Sequence, residues 1–143
     1  MNLQHRIYLL SRLGEYILGN SPDWRQVVEK AGYENGWFIP EFVDSAVENI
    51  AKSYLSSEKL VAWTDENHVP DSTNSPKKVG LIMAGNIPLV GFHDWLSVFI
   101  SGHYAVVKPS SRDSVLISHL AGKIAAWDPA AANRTEFADM LKG

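Results

Sequence analysis

The spacing of apolar and polar positions changes once along this chain, near residue 68. Before that point apolar residues recur three or four positions apart, which is typical of amphipathic helices. The spacing predicts a helix over residues 3–18 that Gly19-Asn20 ends, a second that opens at Ser21-Pro22 and ends at Asn35-Gly36, and a third from Pro40 to Tyr54. A shorter helix is expected from Glu58 to about Asn67. The first 67 residues are therefore predicted to be helical.

Residues 68–76 are rich in Pro, Asp, Ser, Thr and Asn and predict an exposed connector. The next run, KVGLIMAG, is short, apolar and bounded by turn signals, which favours a strand buried on both faces. Residues 88–101 are almost continuously apolar and predict a buried helix, with Gly102 just after its C-cap. We expect a second buried strand in YAVVKPS, then a helix capped by Ser110 or Ser111, and a last helix from Asp128-Pro129 to Leu141.

This order of elements predicts an α/β fold. We divide the chain into an N-terminal helical segment (1–67), a connector (68–77) and an α/β unit (78–143), which together are expected to form one compact domain. A strand, a helix and a second strand connected in this way form a right-handed parallel unit, so both strands end at the same edge of the sheet.

Parallel pairing brings two polar segments together. Ala84-Gly85-Asn86 and Lys108-Pro109-Ser110 are expected to be neighbours at the edge where open parallel sheets bind ligands. Each segment is also expected to lead into a helix N-terminus, which attracts phosphate or carboxylate groups. An anionic small molecule would fit there, although spacing alone is explained equally well by a simple turn and a solvated lysine.

Composition narrows the classes of function. A net charge of −3 with no basic stripe argues against a nucleic-acid partner. The chain has no cysteine, which excludes a disulfide framework, a thiolate metal site and a cysteine nucleophile within these residues. The N-terminal residues lack the apolar core of a signal peptide and a membrane span, so a cytoplasmic location is expected. The apolar content of 45% and the charged content of 20% are typical of a folded globular domain.

The segments GLIMAGNIPLVGF and SGHYAVVKPSS resemble the part of the aldehyde dehydrogenase superfamily in which one strand ends in an Asn-x-Pro-Leu turn and the next in Lys-Pro-Ser. The whole chain resembles the N-terminal part of the LuxC-type acyl-CoA reductases, also called long-chain fatty acid reductases. The resemblance implies N-terminal helices plus the first strand-helix-strand unit of an aldehyde-dehydrogenase-like Rossmann domain. It also implies reduction of a fatty acyl thioester, such as a fatty acyl-CoA, to an aldehyde through a cysteine acyl-enzyme, normally with NADPH.

The same resemblance suggests roles for individual residues. Asn86 matches the asparagine whose amide helps to hold the oxyanion at the attacked carbonyl. Lys108 matches the lysine that reaches the adenosine ribose of the cofactor. Many aldehyde dehydrogenases have a ribose-binding glutamate where this chain has Ser111, followed by Arg112. A hydroxyl beside a guanidinium accepts a 2′-phosphate that a carboxylate would repel, so NADP(H) is the expected cofactor. The predicted cofactor-binding residues are Gly85, Lys108, Pro109, Ser110, Ser111 and Arg112.

Simpler roles remain open for both residues: Asn86 as a turn residue that hydrogen-bonds its own backbone, and Lys108 as a solvated lysine. His93-Asp94 invites a general-base interpretation, but no serine or cysteine partner is placed for it, and a packed or surface histidine is favoured. The remaining histidines do not show metal-ligand spacing, so no metal is assigned. The five tryptophans are more often core residues than a fatty-acyl surface.

The chain departs from the family pattern in two ways. It has no cysteine for the acyl-enzyme, and it shows two strands where a doubly wound cofactor domain needs about five or six. We therefore expect an N-terminal fragment that is inactive alone and that self-associates through an uncovered sheet edge and apolar faces. The alternative is a helical interaction or oligomerisation module with no catalytic role.

Overall fold

The computed structural model describes residues 1–141. Four helices come first: α1 (Leu3–Leu18), α2 (Pro22–Glu34), α3 (Pro40–Tyr54) and α4 (Ser57–Glu66). They confirm the helical prediction for the first half of the chain. Side chains cap three of them, α1 through Asn2, α2 through Ser21 and α4 through Ser56. The Ser21 hydroxyl, at a predicted start, accepts a hydrogen bond from the Trp24 N–H at 3.2 Å. Within residues 1–141, none of the helices combines the length and the apolar character that a bilayer crossing requires.

Helix α1 lies at the centre of the fold and contacts α3 and α4 directly. It buries Leu9, Leu10 and Leu13 in the core. At Gly14 the helix backbone approaches Leu55 so closely that a Cβ there would lie 2.8 Å from the Leu55 Cβ. The apolar stripe of α1 therefore organises the packing of the other helices.

A buried arginine ties α1 to distant parts of the chain. The Arg6 guanidinium donates to the carbonyl oxygen of Ile100 at 2.8 Å and to that of Met1 at 2.7 Å. A longer bond of 3.4 Å reaches Pro70 in the connector. Burial lowers the pKa of Arg6 from its ordinary value. These bonds join the N-terminus, the connector and the second half of the fold around one side chain.

The second half of the chain forms a parallel sheet. Its elements are β1 (Lys78–Ile82), α5 (Phe92–Ile100), β2 (Tyr104–Lys108), α6 (Val115–Trp127), a short 3-10 helix (Pro129–Ala131) and β3 (Thr135–Phe137). The strand order is β1-β2-β3, with both neighbouring pairs parallel. The α/β class and the predicted parallel pairing of the first two strands are confirmed. Helix α5 is largely buried, as predicted, and Gly102 follows its C-cap with a φ of 81°.

The predicted helix from Asp128-Pro129 to Leu141 is wrong. The Asp128 carboxylate accepts a hydrogen bond from the Ala130 N–H at 2.9 Å and caps only a 3-10 helix, after which the chain enters β3. Strand β3 joins the sheet by pairing with β2, and the Thr135 hydroxyl accepts a further hydrogen bond from the Trp95 indole N–H of α5 at 2.9 Å. A tertiary contact thus overrides the helical preference of the alanine-rich segment before it.

The prediction that β1 is buried on both faces is also wrong. Successive β1 residues alternate between partly buried and exposed, and Ile82 is 74% exposed. Two right-handed crossovers that step in the same direction, from β1 to β2 and from β2 to β3, place α5 and α6 on one face of the sheet. Both helices contact α1, which lies on that side. The opposite face is covered by no helix among residues 1–141, and Leu141 lies against it over Gly80.

Both helices of the α/β unit begin later than predicted. Helix α5 starts at Phe92 because Leu89 lies in the left-handed region, with a φ of 56°, which a right-handed helix cannot contain. Helix α6 starts at Val115, and its N-cap is Ser114 instead of Ser110 or Ser111. The Ser114 side chain forms no capping hydrogen bond.

Candidate functional site

Strands β1 and β2 end at the same edge of the sheet, here called the carboxyl rim. Ile82 is aligned with Lys108, and the Met83 N–H donates to the Lys108 carbonyl oxygen at 3.1 Å. The chain then leaves the rim in two turns that lie side by side. We call residues 84–91 the Asn86 turn and residues 109–114 the Ser110 turn.

The two turns touch at Gly85. A Cβ at this position would lie 2.3 Å from the Ser110 Oγ and 2.9 Å from the Arg112 Cβ, so only glycine allows this approach. The Ser110 Oγ in turn accepts a hydrogen bond from the Arg112 N–H at 3.1 Å. The structure therefore places the two segments next to each other, as parallel pairing predicts.

The predicted site residues differ in exposure. Asn86, Ser111 and Arg112 are exposed, whereas Lys108, Pro109 and Ser110 are half-buried and Gly85 is buried. Among residues 1–141, neither Lys108 nor Arg112 forms an ion pair with a carboxylate. The carboxyl rim thus presents an exposed amide and two cations that the described part of the chain does not neutralise.

Asp113 is the central residue that the sequence analysis did not single out. Its Oδ2 accepts a hydrogen bond from the Leu89 N–H at 2.7 Å, which connects the Ser110 turn to the Asn86 turn. The residue is only 7% exposed, and its Oδ1 has no hydrogen-bond partner among residues 1–141. Burial raises the pKa of the carboxyl group to about 6, against the opposing effect of the Leu89 bond.

A second unforeseen residue, Asn35, attaches the helical half of the fold to the site. Its Nδ2 donates to the Arg112 carbonyl oxygen at 3.2 Å, and its Oδ1 accepts from the Trp37 N–H at 3.0 Å. The sequence predicts that a helix ends at Asn35, but it does not predict the hydrogen bond from Asn35 to the Ser110 turn. The Ser110 turn is therefore held from two sides, by Gly85 and by Asn35.

Two other predicted features do not belong to the site. His93 is exposed on α5, and its ring meets the edge of the Tyr54 ring at 5.1 Å, as expected for a surface histidine. The Asn86 turn does not lead directly into a helix N-terminus, since α5 begins only at Phe92. The expected contribution of that helix N-terminus to anion binding beside Asn86 is therefore absent.

The arrangement can bind an anionic or carbonyl-containing small molecule through hydrogen bonds and charge. An exposed amide can donate to a polarised oxygen, and a guanidinium can bind a phosphate through two hydrogen bonds. Within residues 1–141 no three histidine or acidic side chains are grouped to hold a metal ion.

Comparisons of this chain with protein-family models, with curated proteins and with solved structures find no match.

Proposed function

We propose that this chain is the N-terminal part of an acyl-CoA reductase that reduces a fatty acyl thioester to an aldehyde with NADPH. The observation that carries the proposal is the meeting of two turns at one carboxyl rim. One turn bears the exposed amide of Asn86; the other bears Arg112 and directly follows Lys108, the last residue of β2. The resemblance of these two segments to the aldehyde dehydrogenase superfamily, and of the whole chain to the LuxC-type reductases, suggests the chemistry.

The charges at the rim fit a phosphorylated dinucleotide. Lys108 and Arg112 have no carboxylate partner among residues 1–141, so a phosphate would neutralise them without displacing an existing ion pair. The acidic group of the Ser110 turn, Asp113, is buried and bonded to Leu89. These features favour NADP(H) over NAD(H), and Ser111 with Arg112 would hold the 2′-phosphate.

The sheet topology supports the same proposal. In doubly wound sheets the ligand crevice lies where the strand order reverses direction. The three described strands step in one direction, so a reversal would require a further strand on the unpaired edge of β1. The Asn86 turn follows that edge strand directly. A strand added there would complete a crevice with Asn86 at its mouth.

The proposal gives this chain binding and positioning roles. Asn86 would donate a hydrogen bond to the oxyanion that forms at the thioester carbonyl, and Lys108 would bind the cofactor ribose. The nicotinamide cofactor supplies the hydride. The acyl-enzyme nucleophile, a cysteine thiolate, must come from other residues because the sequence contains no cysteine. We expect the chain alone to be inactive.

The test is an assay of this chain joined to whatever polypeptide the same reading frame encodes after Gly143. We expect NADPH oxidation that depends on a fatty acyl-CoA and on a downstream cysteine. Asn86→Ala should lower turnover about a hundredfold or more, because it removes an oxyanion donor. The urea midpoint should hardly change, because Asn86 is exposed. Asn74→Ala, at an exposed asparagine in the connector, is the matched control.

Two results would refute the reductase proposal. One is a joined chain that shows no acyl-CoA-dependent NADPH oxidation. The other is an active enzyme in which Asn86→Ala and Asn74→Ala have equal turnover. An NADPH-to-NADH preference near unity would refute only the assignment of Ser111 and Arg112 to the 2′-phosphate.

A second candidate function, an interaction or oligomerisation module, is favoured by the unpaired β1 edge. Ile82 on that strand is 74% exposed, and its side chain lies on the face of the sheet that no helix among residues 1–141 covers. Such an edge pairs readily with another chain. Light scattering should show self-association that Ile82→Lys reduces, and a strict monomer at high concentration would contradict it. If interaction is the only function, Asn86→Ala will change neither the self-association of the chain nor any activity of the joined chain.

A further inference from the structure

The conformation of the Asn86 turn depends on one hydrogen bond from the other turn. Leu89 has a φ of 56°, which is uncommon for a residue with a branched apolar side chain, and its side chain is buried. Its N–H donates to the Asp113 Oδ2 at 2.7 Å. The short distance is typical of a charge-assisted bond, which is stronger than a neutral one. Asp113 therefore holds Leu89 in a backbone conformation that is unfavourable by itself.

The position of Asn86 depends on this contact. Asn86 lies three residues before Leu89, with Ile87 and Pro88 between them, and its own side chain forms no hydrogen bond within the described residues. Pro88 restricts the backbone on the path between the two residues. Fixing Leu89 therefore limits where the Asn86 amide can lie at the carboxyl rim.

We propose that Asp113 is a positioning residue for the Asn86 turn, and that the protonation state of its carboxyl group determines how firmly the turn is held. The carboxylate form accepts the Leu89 N–H strongly. The acid form accepts it more weakly through a neutral oxygen. The Oδ1 atom, which is buried without a partner among residues 1–141, is the place where a proton would be added.

The surroundings of Asp113 determine the pH range in which its carboxyl group is protonated. Burial is the larger influence and raises the pKa of the carboxyl group to about 6, while the Leu89 bond favours the charged form. Lys30, Glu34 and His119 line the groove beside Ser114 and Val115, which follow Asp113 in the chain. Neither these side chains nor Lys108 and Arg112 hydrogen-bond Asp113 within residues 1–141.

Two effects of pH then have opposite signs. The folded pKa of Asp113 lies above the ordinary carboxyl value of 3.8, so the folded protein binds the proton more tightly than the unfolded chain does. The contribution of Asp113 to stability is therefore largest at low pH and falls as the pH rises through about 6. Over the same interval the bond to Leu89 becomes stronger. For an exposed carboxylate cap, whose folded pKa is lowered, stability and the strength of the bond would both increase as the pH rises.

The test follows backbone amide resonances of the isotopically labelled chain by NMR as the pH is varied. The Leu89 amide proton should shift with an inflection around pH 6, moving downfield as the pH rises and the bond strengthens. The matched control is the Ala130 amide, which donates to the Asp128 carboxylate in the same kind of cap. The pKa of Asp128 is lowered, first by its bond to His5, so the inflection of Ala130 that reports on this carboxylate should lie below 3.8.

The variant Asp113→Asn keeps the size of the side chain and an acceptor oxygen but cannot titrate. We expect the Leu89 inflection to disappear in this variant while the Ala130 inflection stays. The proposal is overturned if Leu89 inflects with Ala130, or if its inflection persists in Asp113→Asn. Should the variant not fold, the comparison of Leu89 with Ala130 in the unaltered chain still decides.

This role of Asp113 does not depend on the reductase proposal, because the NMR measurement uses the chain alone and involves no substrate. If the reductase proposal also holds, turnover of the joined enzyme should fall at acid pH with the same inflection. A joined chain that has no reductase activity at any pH, while the Leu89 amide still inflects around pH 6, would count against the reductase proposal and support the role of Asp113.

Discussion

Trp95 joins α5 to the third strand, and its replacement should test that connection. The indole is 0% exposed and packs between Phe92 and Phe99, with ring centroids 5.4 Å and 5.3 Å away. Its N–H donates to the Thr135 hydroxyl at 2.9 Å, a side-chain bond between α5 and β3. Trp95→Ala removes both the packing and the hydrogen bond.

The expected magnitude follows from these contacts. Replacing a fully buried tryptophan by alanine typically lowers the free energy of unfolding by about 3 to 5 kcal/mol. The hydrogen bond accounts for about 1 kcal/mol of that, and the lost volume for the rest. Trp95→Phe keeps an aromatic ring but not the donor, so we expect a loss of about 1 to 2 kcal/mol. Either loss is a large part of the stability of a small domain.

Urea-induced unfolding, followed by far-ultraviolet circular dichroism, measures these differences. Trp37→Ala is the matched control, because Trp37 is 79% exposed and its replacement should change the free energy of unfolding by no more than about 0.5 kcal/mol. Equal losses at the two positions would refute the described packing of α5. So would a Trp95→Phe variant as stable as the unaltered chain, because it would show that the indole N–H is not bonded to Thr135.

Two further predictions concern the site and the helical half. Gly85→Ala should lower the free energy of unfolding by about 1 to 3 kcal/mol, because the added Cβ would lie 2.3 Å from a side-chain oxygen of the Ser110 turn. Gly36→Ala, which meets no atom within 4 Å, should lack this penalty in the same urea titration, and equal losses would contradict the close approach of the turns. Burial lowers the pKa of His119, so the unfolded chain binds its proton more tightly and His119 should reduce stability as the pH falls below 6.5. Urea midpoints at about pH 7.5 and about pH 5.5 should differ less in His119→Gln than in the unaltered chain, and equal differences would show that this histidine is not buried in the folded state.

The helices of the first half could be predicted because their signals are local. Ser21 caps α2 through its own side chain, and the prolines at residues 22 and 40 begin helices where their missing N–H groups cost nothing. The parallel pairing of β1 with β2 followed from chain connectivity, which leaves one handedness for the crossover. These features needed no knowledge of distant contacts.

The features that could not be predicted depend on contacts between distant residues. The third strand has only three residues and follows an alanine-rich segment that favours a helix, and its partners, β2 and Trp95, are distant in the sequence. Asp113 looks like an ordinary solvated carboxylate in the sequence, and only the packing of the two turns buries it. The exposure of Ile82 depends on which face the helices cover, which in turn depends on the position of the third strand.

The Arg6 cluster has a consequence for the order in which the protein folds during synthesis. Helix α1 leaves the ribosome first, yet one of the carbonyl oxygens that the Arg6 guanidinium binds belongs to Ile100, 94 residues later. Until that residue emerges, the early helices can collapse only with an incompletely bonded cation at their centre, which disfavours a compact state. The helical half therefore reaches its final packing after translation of the strand-helix-strand unit, and the two halves become stable together.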